Sequence, residues 1–288
     1  MLVKLNDVLQ GTIAGGYAVP AFNVFGYEDA KSIIDAAEEM NAPVIIATNK
    51  VAISHMPIEI LGPLLVGIAE RANVPVVVHL DHGKDYETVA QAIRNGYSSV
   101  MYDGSSLPFE ENVATTKEIV KLAHAFDIPI EAEIGSVGYS DPSLGISGQL
   151  TDPSEAKEFA ERTGVDALAV AVGTVHRMEN QSAEIQYDRI EEIQSLVKVP
   201  LVMHGSTGLP DEDLRRIAGM QFGKVNIGTA IRMSFGKTLR NEFNAKPQAF
   251  DRIELFEKPM QAVKREAIHK MKLLNLDKFK TERYQLIN

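Results

Sequence analysis

The sequence predicts an α/β protein folded as a (β/α)8 TIM barrel with an extra C-terminal helix. Short apolar runs alternate with longer amphipathic ones along most of the 288 residues, which is the pattern of βα units that wind a parallel sheet. These runs supply eight strand candidates, the number that closes such a barrel. The length also suits one barrel, so residues 1–288 are expected to form a single domain.

Each predicted strand is a short apolar run, and a helical pattern follows it. The strands are predicted at Tyr17–Asn23, Val44–Thr48, Val76–Leu80, Ser98–Tyr102, Pro129–Glu133, Ala167–Val172, Leu201–His204 and Lys224–Ile227. The helices are predicted at Glu28–Met40, Ile58–Arg71, Tyr86–Asn95, Phe109–Phe126, Pro153–Thr163, Asp188–Leu196, Asp211–Gly219, Thr229–Asn244 and Lys258–Leu274. The helix at Pro153 is expected to be capped by Asp152. The last helix is expected to pack outside the barrel or against a partner subunit.

Composition and charge narrow the class of protein. The net charge is −10 and the sequence has no dense block of lysine and arginine, so neither nucleic acid nor a membrane surface is an expected partner. Cysteine is absent, so any zinc site must use histidine and carboxylate ligands. The sequence shows neither a signal-peptide pattern nor a membrane-spanning apolar run. We therefore expect a cytoplasmic location.

Three histidines follow three different predicted strands. His82 follows the third strand, His176 follows the sixth and His204 ends the seventh. Active sites of TIM barrels form at the C-terminal ends of the strands, and three imidazoles with open coordination positions form a catalytic zinc site. A hydrogen-bonded structural role is the alternative for any one of them. The other histidines are expected on helices (His124, His269), in a loop (His55) and inside a strand as a satisfied core residue (His79).

Two glycine-containing segments follow the last two strands. HGSTG spans His204–Gly208, and NIGT spans Asn226–Thr229. Loops at these two places in a barrel commonly bind phosphate, because small residues let backbone amides approach it beside a helix N-terminus. Two ordinary tight turns are the alternative. The candidate substrate-binding residues are Gly205, Ser206, Thr207, Asn226, Ile227, Gly228 and Thr229.

The motifs LDHG, EAEIG, GTVH, HGSTG and NIGT, in this order and spacing, resemble those of the class II, metal-dependent ketose-bisphosphate aldolases, particularly the tagatose- and fructose-bisphosphate branch. The resemblance implies Zn²⁺ held by His82, His176 and His204, with dihydroxyacetone phosphate bound by HGSTG and NIGT. It also implies a small phosphorylated sugar substrate and a homodimer or homotetramer. The expected cofactors are one Zn²⁺ per subunit and, as an optional addition, a monovalent cation.

The resemblance also assigns acid–base roles. Asp81, beside His82, is expected to exchange a proton with the C4 hydroxyl of the substrate, and capping of the next turn is its structural alternative. In the resembled family, a loop glutamate after strand 5 exchanges a proton with the enediolate carbon. Only Asp141 matches that position here, so it is the second catalytic candidate, with a solvated loop residue as the alternative. Asp103 and Glu133 could supply a second metal position or orient the histidines.

Two basic residues depart from the family pattern. Arg177 stands where the family usually has glycine, and Lys50 follows the second strand. We hypothesise that one or both recognise a second acidic group on the aldehyde half of the substrate, with ordinary surface charges as the alternative. Lys50 also raises the rival chemistry of a metal-free Schiff base, although the three histidines would then have no purpose.

The sequence-based hypothesis is a metal-dependent aldolase that reversibly cleaves a ketose 1-phosphate or 1,6-bisphosphate. One alternative is a sugar-phosphate epimerase or isomerase that stabilises the same enediolate. The other is a sugar-phosphate-binding protein without turnover, suggested by the altered loop after strand 5. Retention of Asp81, the three histidines and both candidate phosphate loops argues against a loss of turnover.

Overall fold

The structure is a computed structural model in which residues 1–140 and 148–279 are described. Its strands are β1 (Val19–Asn23), β2 (Val44–Thr48), β3 (Val76–Gly83), β4 (Ser99–Tyr102), β5 (Ile130–Ile134), β6 (Gly138–Tyr139), β7 (Ala167–Val170), β8 (Val175–His176), β9 (Leu201–Met203) and β10 (Phe222–Ile227). Eight of them form a closed barrel in the order β1-β10-β9-β7-β5-β4-β3-β2, and all pairings are parallel. The predicted TIM barrel is confirmed.

Most barrel strands lie where the sequence predicts them, because each is a short run whose residues are buried on both faces of the sheet. The two remaining strands, β6 and β8, pair with each other outside the barrel. Neither was predicted, since each has only two residues and a run of that length has no detectable period.

Strand β3 is longer than predicted, because it continues past Leu80 to Gly83. On the neighbouring strand β4, Val100 pairs with Leu80 and Tyr102 pairs with Gly83. β3 therefore has one extra residue between these two pairs, which is a β-bulge. The backbone of His82, inside the bulge, has a left-handed φ of 53°. The bulge places the end of β3 at the C-terminal rim of the barrel.

The helices surround the barrel. They are α1 (Leu5–Leu9), α2 (Thr12–Gly15), α3 (Tyr27–Met40), α4 (Lys50–His55), α5 (Ile58–Arg71), α6 (Tyr86–Arg94), α7 (Phe109–Ala125), α8 (Pro153–Thr163), α9 (Tyr187–Leu196), α10 (Asp211–Ala218), α11 (Thr229–Ala245) and α12 (Arg252–Leu273). The predicted cap of α8 is confirmed, since Asp152 accepts from the amides of Ser154 and Glu155. Among the described residues, no helix is both long and apolar enough to cross a membrane.

Helix α4 was not predicted, and His55 is its last residue rather than part of a loop. The Asn49 side chain caps this helix by accepting from the amides of Val51 and Ala52. The helix has only six residues, which is too short for a periodic apolar pattern to be visible.

Helix α12 packs outside the barrel against α3 and α11. It begins at Arg252, six residues before the predicted start at Lys258. The prediction was wrong at this end because Pro259 lies inside the helix, and proline usually marks a helix start. Asp251 supplies the true cap by accepting from the amides of Ile253 and Glu254.

Two glycines of α5 give a matched test of its packing against the segment between α6 and β4. A Cβ at Gly62 would lie 2.9 Å from the carbonyl oxygen of Asn95, whereas a Cβ at Gly67 would meet nothing within 4 Å. We expect Gly62→Ala to lower the free energy of unfolding by about 1–3 kcal/mol and Gly67→Ala to raise it by about 0.5–1 kcal/mol. Urea denaturation measures both. A Gly62→Ala protein as stable as the Gly67→Ala protein would contradict this packing.

Candidate active site

The bulge of β3 brings two consecutive residues to one cavity. Neighbouring side chains of a regular strand point to opposite faces, yet Asp81 and His82 both line the cavity at the C-terminal rim, and the extra residue of the bulge makes this possible. The structural alternative for Asp81 was to cap the following turn. That role belongs to Asp85, whose side chain accepts from the amide of Thr88 at 2.7 Å.

Three imidazoles meet at the centre of the rim. His82 lies in the β3 bulge, His176 is in β8 and His204 follows β9. The Nε2 atom of His82 lies 3.0 Å from Nδ1 of His204. One ring nitrogen from each of the three side chains lies within 4.8 Å of the other two. Three nitrogen donors with the remaining positions open match the ligand set of a catalytic zinc site.

In two of these rings, the nitrogen that points away from the cluster (the outer nitrogen) is hydrogen-bonded to a carboxylate. His82 Nδ1 lies 2.7 Å from Asp103 Oδ2, and His204 Nε2 lies 2.9 Å from Glu131 Oε1. A carboxylate in this position accepts the ring proton, fixes the tautomer and orients the ring. The opposite nitrogen of each ring then carries the lone pair that a metal would bind.

Each of these carboxylates also has a lysine partner. Lys224 Nζ lies 2.7 Å from Glu131 Oε2, and both side chains are fully buried. Burial opposes ionisation of Glu131, but Lys224 and His204 outweigh it and lower its pKa to about 2. Lys84 Nζ lies 2.6 Å from Asp103 Oδ2, and its side chain is half-exposed. Both carboxylates are therefore paired with a cation and with a histidine.

A second group of possible ligand atoms lies on the outer side of His82. His82, Asp103 and Glu133 have ligand atoms within 4.8 Å of one another. Burial and the nearby Asp103 raise the pKa of Glu133 to about 8. Its Oε2 atom is buried and has no hydrogen-bond partner among the described residues. The geometry is compatible with both sequence-based alternatives, because Asp103 orients His82 and the group also offers oxygen donors.

Asp81 is held by two side-chain amides. Asn23 Nδ2 donates to one carboxylate oxygen at 2.8 Å, and Asn226 Nδ2 donates to the other at 2.9 Å. Burial opposes ionisation, but the imidazoles of His82 and His204 hold the pKa of Asp81 well below its ordinary range. An ionised and oriented carboxylate beside the histidine cluster can accept a proton from a bound hydroxyl group.

The two candidate phosphate loops are bonded to each other. Gly205 has a φ of 69°, and a Cβ there would lie 2.9 Å from the backbone of β8, so glycine is required. The Ser206 hydroxyl donates to the carbonyl oxygen of Asn226 at 2.6 Å. The amide of Ala230 donates to the Thr207 hydroxyl at 3.3 Å. The HGSTG segment is thereby tied to the beginning of α11, where backbone amides lack partners within the helix.

Six of the seven predicted phosphate-binding residues line the cavity. They are Gly205, Ser206, Thr207, Asn226, Gly228 and Thr229. The Ile227 side chain is buried in the core instead. Its contact with a substrate stays a prediction. The cavity has a volume of about 690 Å³, which suits a small phosphorylated sugar.

The two unexpected cations line the same cavity. Lys50 is the exposed first residue of α4, and Arg177 follows His176 with a left-handed φ of 60°. The exposure of Lys50 disfavours the Schiff-base alternative, which needs a desolvated amine. Asp141, the second catalytic candidate, lies outside the described residues.

Sequence reasoning missed the side chains that orient the predicted ones. Asn23 ends the first predicted strand, so the strand-end criterion that selected His204 would also have found it. Lys224 gives no such signal, because its partner Glu131 comes from a strand across the barrel. His79 is buried as expected, but only its Nδ1 has a hydrogen-bond partner among the described residues, the Ser99 hydroxyl at 2.8 Å.

The buried pair of Lys224 and Glu131 generates a stability test. We expect Lys224→Met to lower the free energy of unfolding by about 3–5 kcal/mol, because it leaves a buried carboxylate without its cation. The double variant Lys224→Met/Glu131→Gln should recover part of this loss, since the neutral amide oxygen can still accept from His204. Urea denaturation compares the two proteins. Equal losses in both would show that the ion pair is not the cause.

Comparison with known proteins places the chain in a family. Residues 3–278 match the family described as fructose-bisphosphate aldolase class II. The YdjI aldolase from Escherichia coli K12 is 33% identical, with a TM-score of 0.86 over 96% of this chain and 98% of that chain. A Coccidioides immitis protein, provisionally assigned as a fructose-1,6-bisphosphate aldolase, is 28% identical, with a TM-score of 0.88 over 97% of this chain and 98% of that chain.

A third structure supports the fold alone. The fructose-bisphosphate aldolase from Campylobacter jejuni is 20% identical, with a TM-score of 0.83 over 96% of this chain and 97% of that chain. The family match, by contrast, spans nearly the whole sequence and includes the histidine cluster, Asp81 and both glycine-containing loops. The chain therefore belongs to the class II fructose-bisphosphate aldolases, a metal-dependent family of carbon–carbon lyases.

Proposed function

We propose that this aldolase uses one Zn²⁺ per chain to cleave, reversibly, a ketose 1-phosphate or 1,6-bisphosphate into dihydroxyacetone phosphate and an aldehyde. The observation that carries the proposal is the convergence of three imidazole nitrogens beside an oriented, ionised Asp81. The name of the Coccidioides relative supports a phosphorylated ketose as the substrate.

His82, His176 and His204 would hold the zinc ion. The donor set fits, because three neutral nitrogen ligands leave positions open for the substrate. When bound, Zn²⁺ supplies a Lewis acid that polarises the ketone and hydroxyl oxygens and stabilises the enediolate. Asp103 and Glu131 accept from the outer nitrogens of two rings, which increases the basicity of these ligands.

Asp81 is the acid–base group for the C4 hydroxyl. In the cleavage direction it accepts the hydroxyl proton, the C3–C4 bond breaks and the electron pair stays on the dihydroxyacetone phosphate half. In the condensation direction Asp81 returns the proton to the aldehyde oxygen. The amides of Asn23 and Asn226 keep the carboxylate in one orientation through both directions.

We expect the substrate phosphate to bind between the HGSTG and NIGT segments. Helix α11 begins beside Gly228, and the positive end of a helix favours an anion even though the Ala230 amide already donates to Thr207. A phosphate bound there would bring the phosphorylated half of the ketose beside His204 and Asp81, which line the same cavity.

Release of dihydroxyacetone phosphate tests the proposed function. In a coupled assay with fructose- and tagatose-1,6-bisphosphate, we expect the zinc-loaded protein to be active and the chelator-treated protein to be inactive. Asp81→Ala should lower kcat by about 10²–10⁴-fold, because the hydroxyl proton loses its acceptor. Asp85→Ala removes a neighbouring carboxylate outside the cavity and should keep the wild-type rate. Activity that survives chelation or Asp81→Ala would contradict the proposal.

We further propose that Lys50 and Arg177 recognise a second acidic group, a phosphate or a carboxylate, at the far end of the aldehyde half. Both cations line the cavity that holds the histidines. The guanidinium carbon of Arg177 lies 5.5 Å from the ring centroid of Tyr139, and stacking on an aromatic ring limits the freedom of the guanidinium group.

Arg177→Ala measures this recognition. We expect KM for an acidic ketose phosphate to rise by about tenfold or more with little change in kcat, because a charge-assisted hydrogen bond contributes about 1.5–3 kcal/mol. Arg216→Ala is the matched control, since Arg216 also stacks on a tyrosine but lies outside the cavity. An unchanged KM in the Arg177 variant would end the assignment for that residue.

A further inference from the structure

Tyr139 packs directly against the histidine cluster. Its strand, β6, pairs in parallel with β8, and the pairing puts Tyr139 in register with His176. The two ring centroids lie 5.0 Å apart with an interplanar angle of 38°. Ser140 strengthens this attachment, since its amide donates to the carbonyl oxygen of His176 and its hydroxyl donates to that of Arg177. Tyr139 therefore has a fixed position in the cavity wall.

The hydroxyl group of Tyr139 is available for chemistry. The side chain is half-buried, and the hydroxyl makes no hydrogen bond with the part of the chain that the structure describes. A tyrosine that served only as packing would need no such free hydroxyl, because phenylalanine offers the same ring. Arg177 lies over the ring, and a cation there stabilises a phenolate formed during a reaction.

Aldol cleavage needs a proton donor in addition to the base Asp81. Asp81 takes the proton of the C4 hydroxyl, but the enediolate carbon must also gain a proton before dihydroxyacetone phosphate can leave. Two other polar side chains of the cavity are held elsewhere: Lys84 Nζ lies 2.6 Å from Asp103 Oδ2, and Glu133 lies on the outer side of His82, where it accepts from the amide of Val137. Tyr139 also lines the cavity, and its hydroxyl makes no hydrogen bond with the described residues.

We propose that Tyr139 is a catalytic residue that exchanges a proton with the enediolate carbon. The assignment rests on the proposed cleavage to dihydroxyacetone phosphate. In the cleavage direction, Asp81 accepts the hydroxyl proton, the C3–C4 bond breaks, and the electron pair left on C3 takes the proton of the Tyr139 hydroxyl. Tyr139 becomes a phenolate and Asp81 becomes protonated. Transfer of one proton from Asp81 to Tyr139 through solvent restores both groups, so the cycle is balanced.

Hydrogen exchange in dihydroxyacetone phosphate isolates this step, because it requires no aldehyde. The zinc-loaded enzyme is incubated with dihydroxyacetone phosphate in D₂O, and loss of the C3 proton signal is followed by NMR. We expect Tyr139→Phe to slow the exchange by about 100-fold or more, while zinc content and binding of dihydroxyacetone phosphate stay at wild-type values. The variant keeps the ring contacts with His176 and Arg177. Tyr86→Phe, at an exposed tyrosine outside the cavity, is the matched control.

Asp141, the other candidate proton donor, is tested in parallel by the variant Asp141→Asn. If the Tyr139→Phe protein exchanges hydrogen at a rate within about threefold of the wild-type rate, the proposal is overturned, whatever the Asp141 variant does. A change that small falls within the range of indirect effects of a substitution. Absence of exchange in the wild-type enzyme itself would overturn the proposed use of dihydroxyacetone phosphate together with the role of Tyr139. Slow exchange in Tyr139→Phe alone, with normal binding, supports Tyr139 as the donor.

Discussion

The buried contact of Glu131 with His204 and Lys224 is the interaction on which the site depends. A carboxylate inside a barrel is costly unless a cation and hydrogen bonds compensate it, and here Lys224 supplies the cation from across the barrel. Because Glu131 accepts the Nε2 proton of His204, the opposite nitrogen faces the other histidines. One buried ion pair thus determines which atom of His204 can bind a metal. Neither side chain of the pair needs to contact the substrate.

The β3 bulge is the second constraint, because it lets two consecutive residues of one strand face the same cavity. In the proposed mechanism the base for the C4 hydroxyl lies beside the zinc site, but consecutive residues of a regular strand face opposite sides. The extra residue between the pairs of Leu80 and Gly83 with β4 lets Asp81 and His82 share one cavity. The left-handed backbone of His82 is strained for a residue with a Cβ, and such strain is concentrated at functional sites.

The sequence predicted the features that depend on local patterns. Apolar runs predict the barrel strands, and polar residues at the predicted strand ends include His82, His176 and His204. Features that depend on contacts distant in sequence were missed. The end of β3 is determined by its pairing with β4. Closure of the barrel brings Lys224 to its partner Glu131, and the pairing of β6 with β8 determines the position of Tyr139. None of these contacts leaves a periodic signal in the chain.

Anomalous diffraction at the zinc edge, from crystals of the zinc-loaded protein, is the most direct test of the metal site. The geometry predicts one peak per chain at about 2.0–2.1 Å from a ring nitrogen of each of His82, His176 and His204. A peak on the other side of His82, coordinated by Asp103 and Glu133 without the two remaining histidines, would contradict the assignment of the three imidazoles as the zinc site.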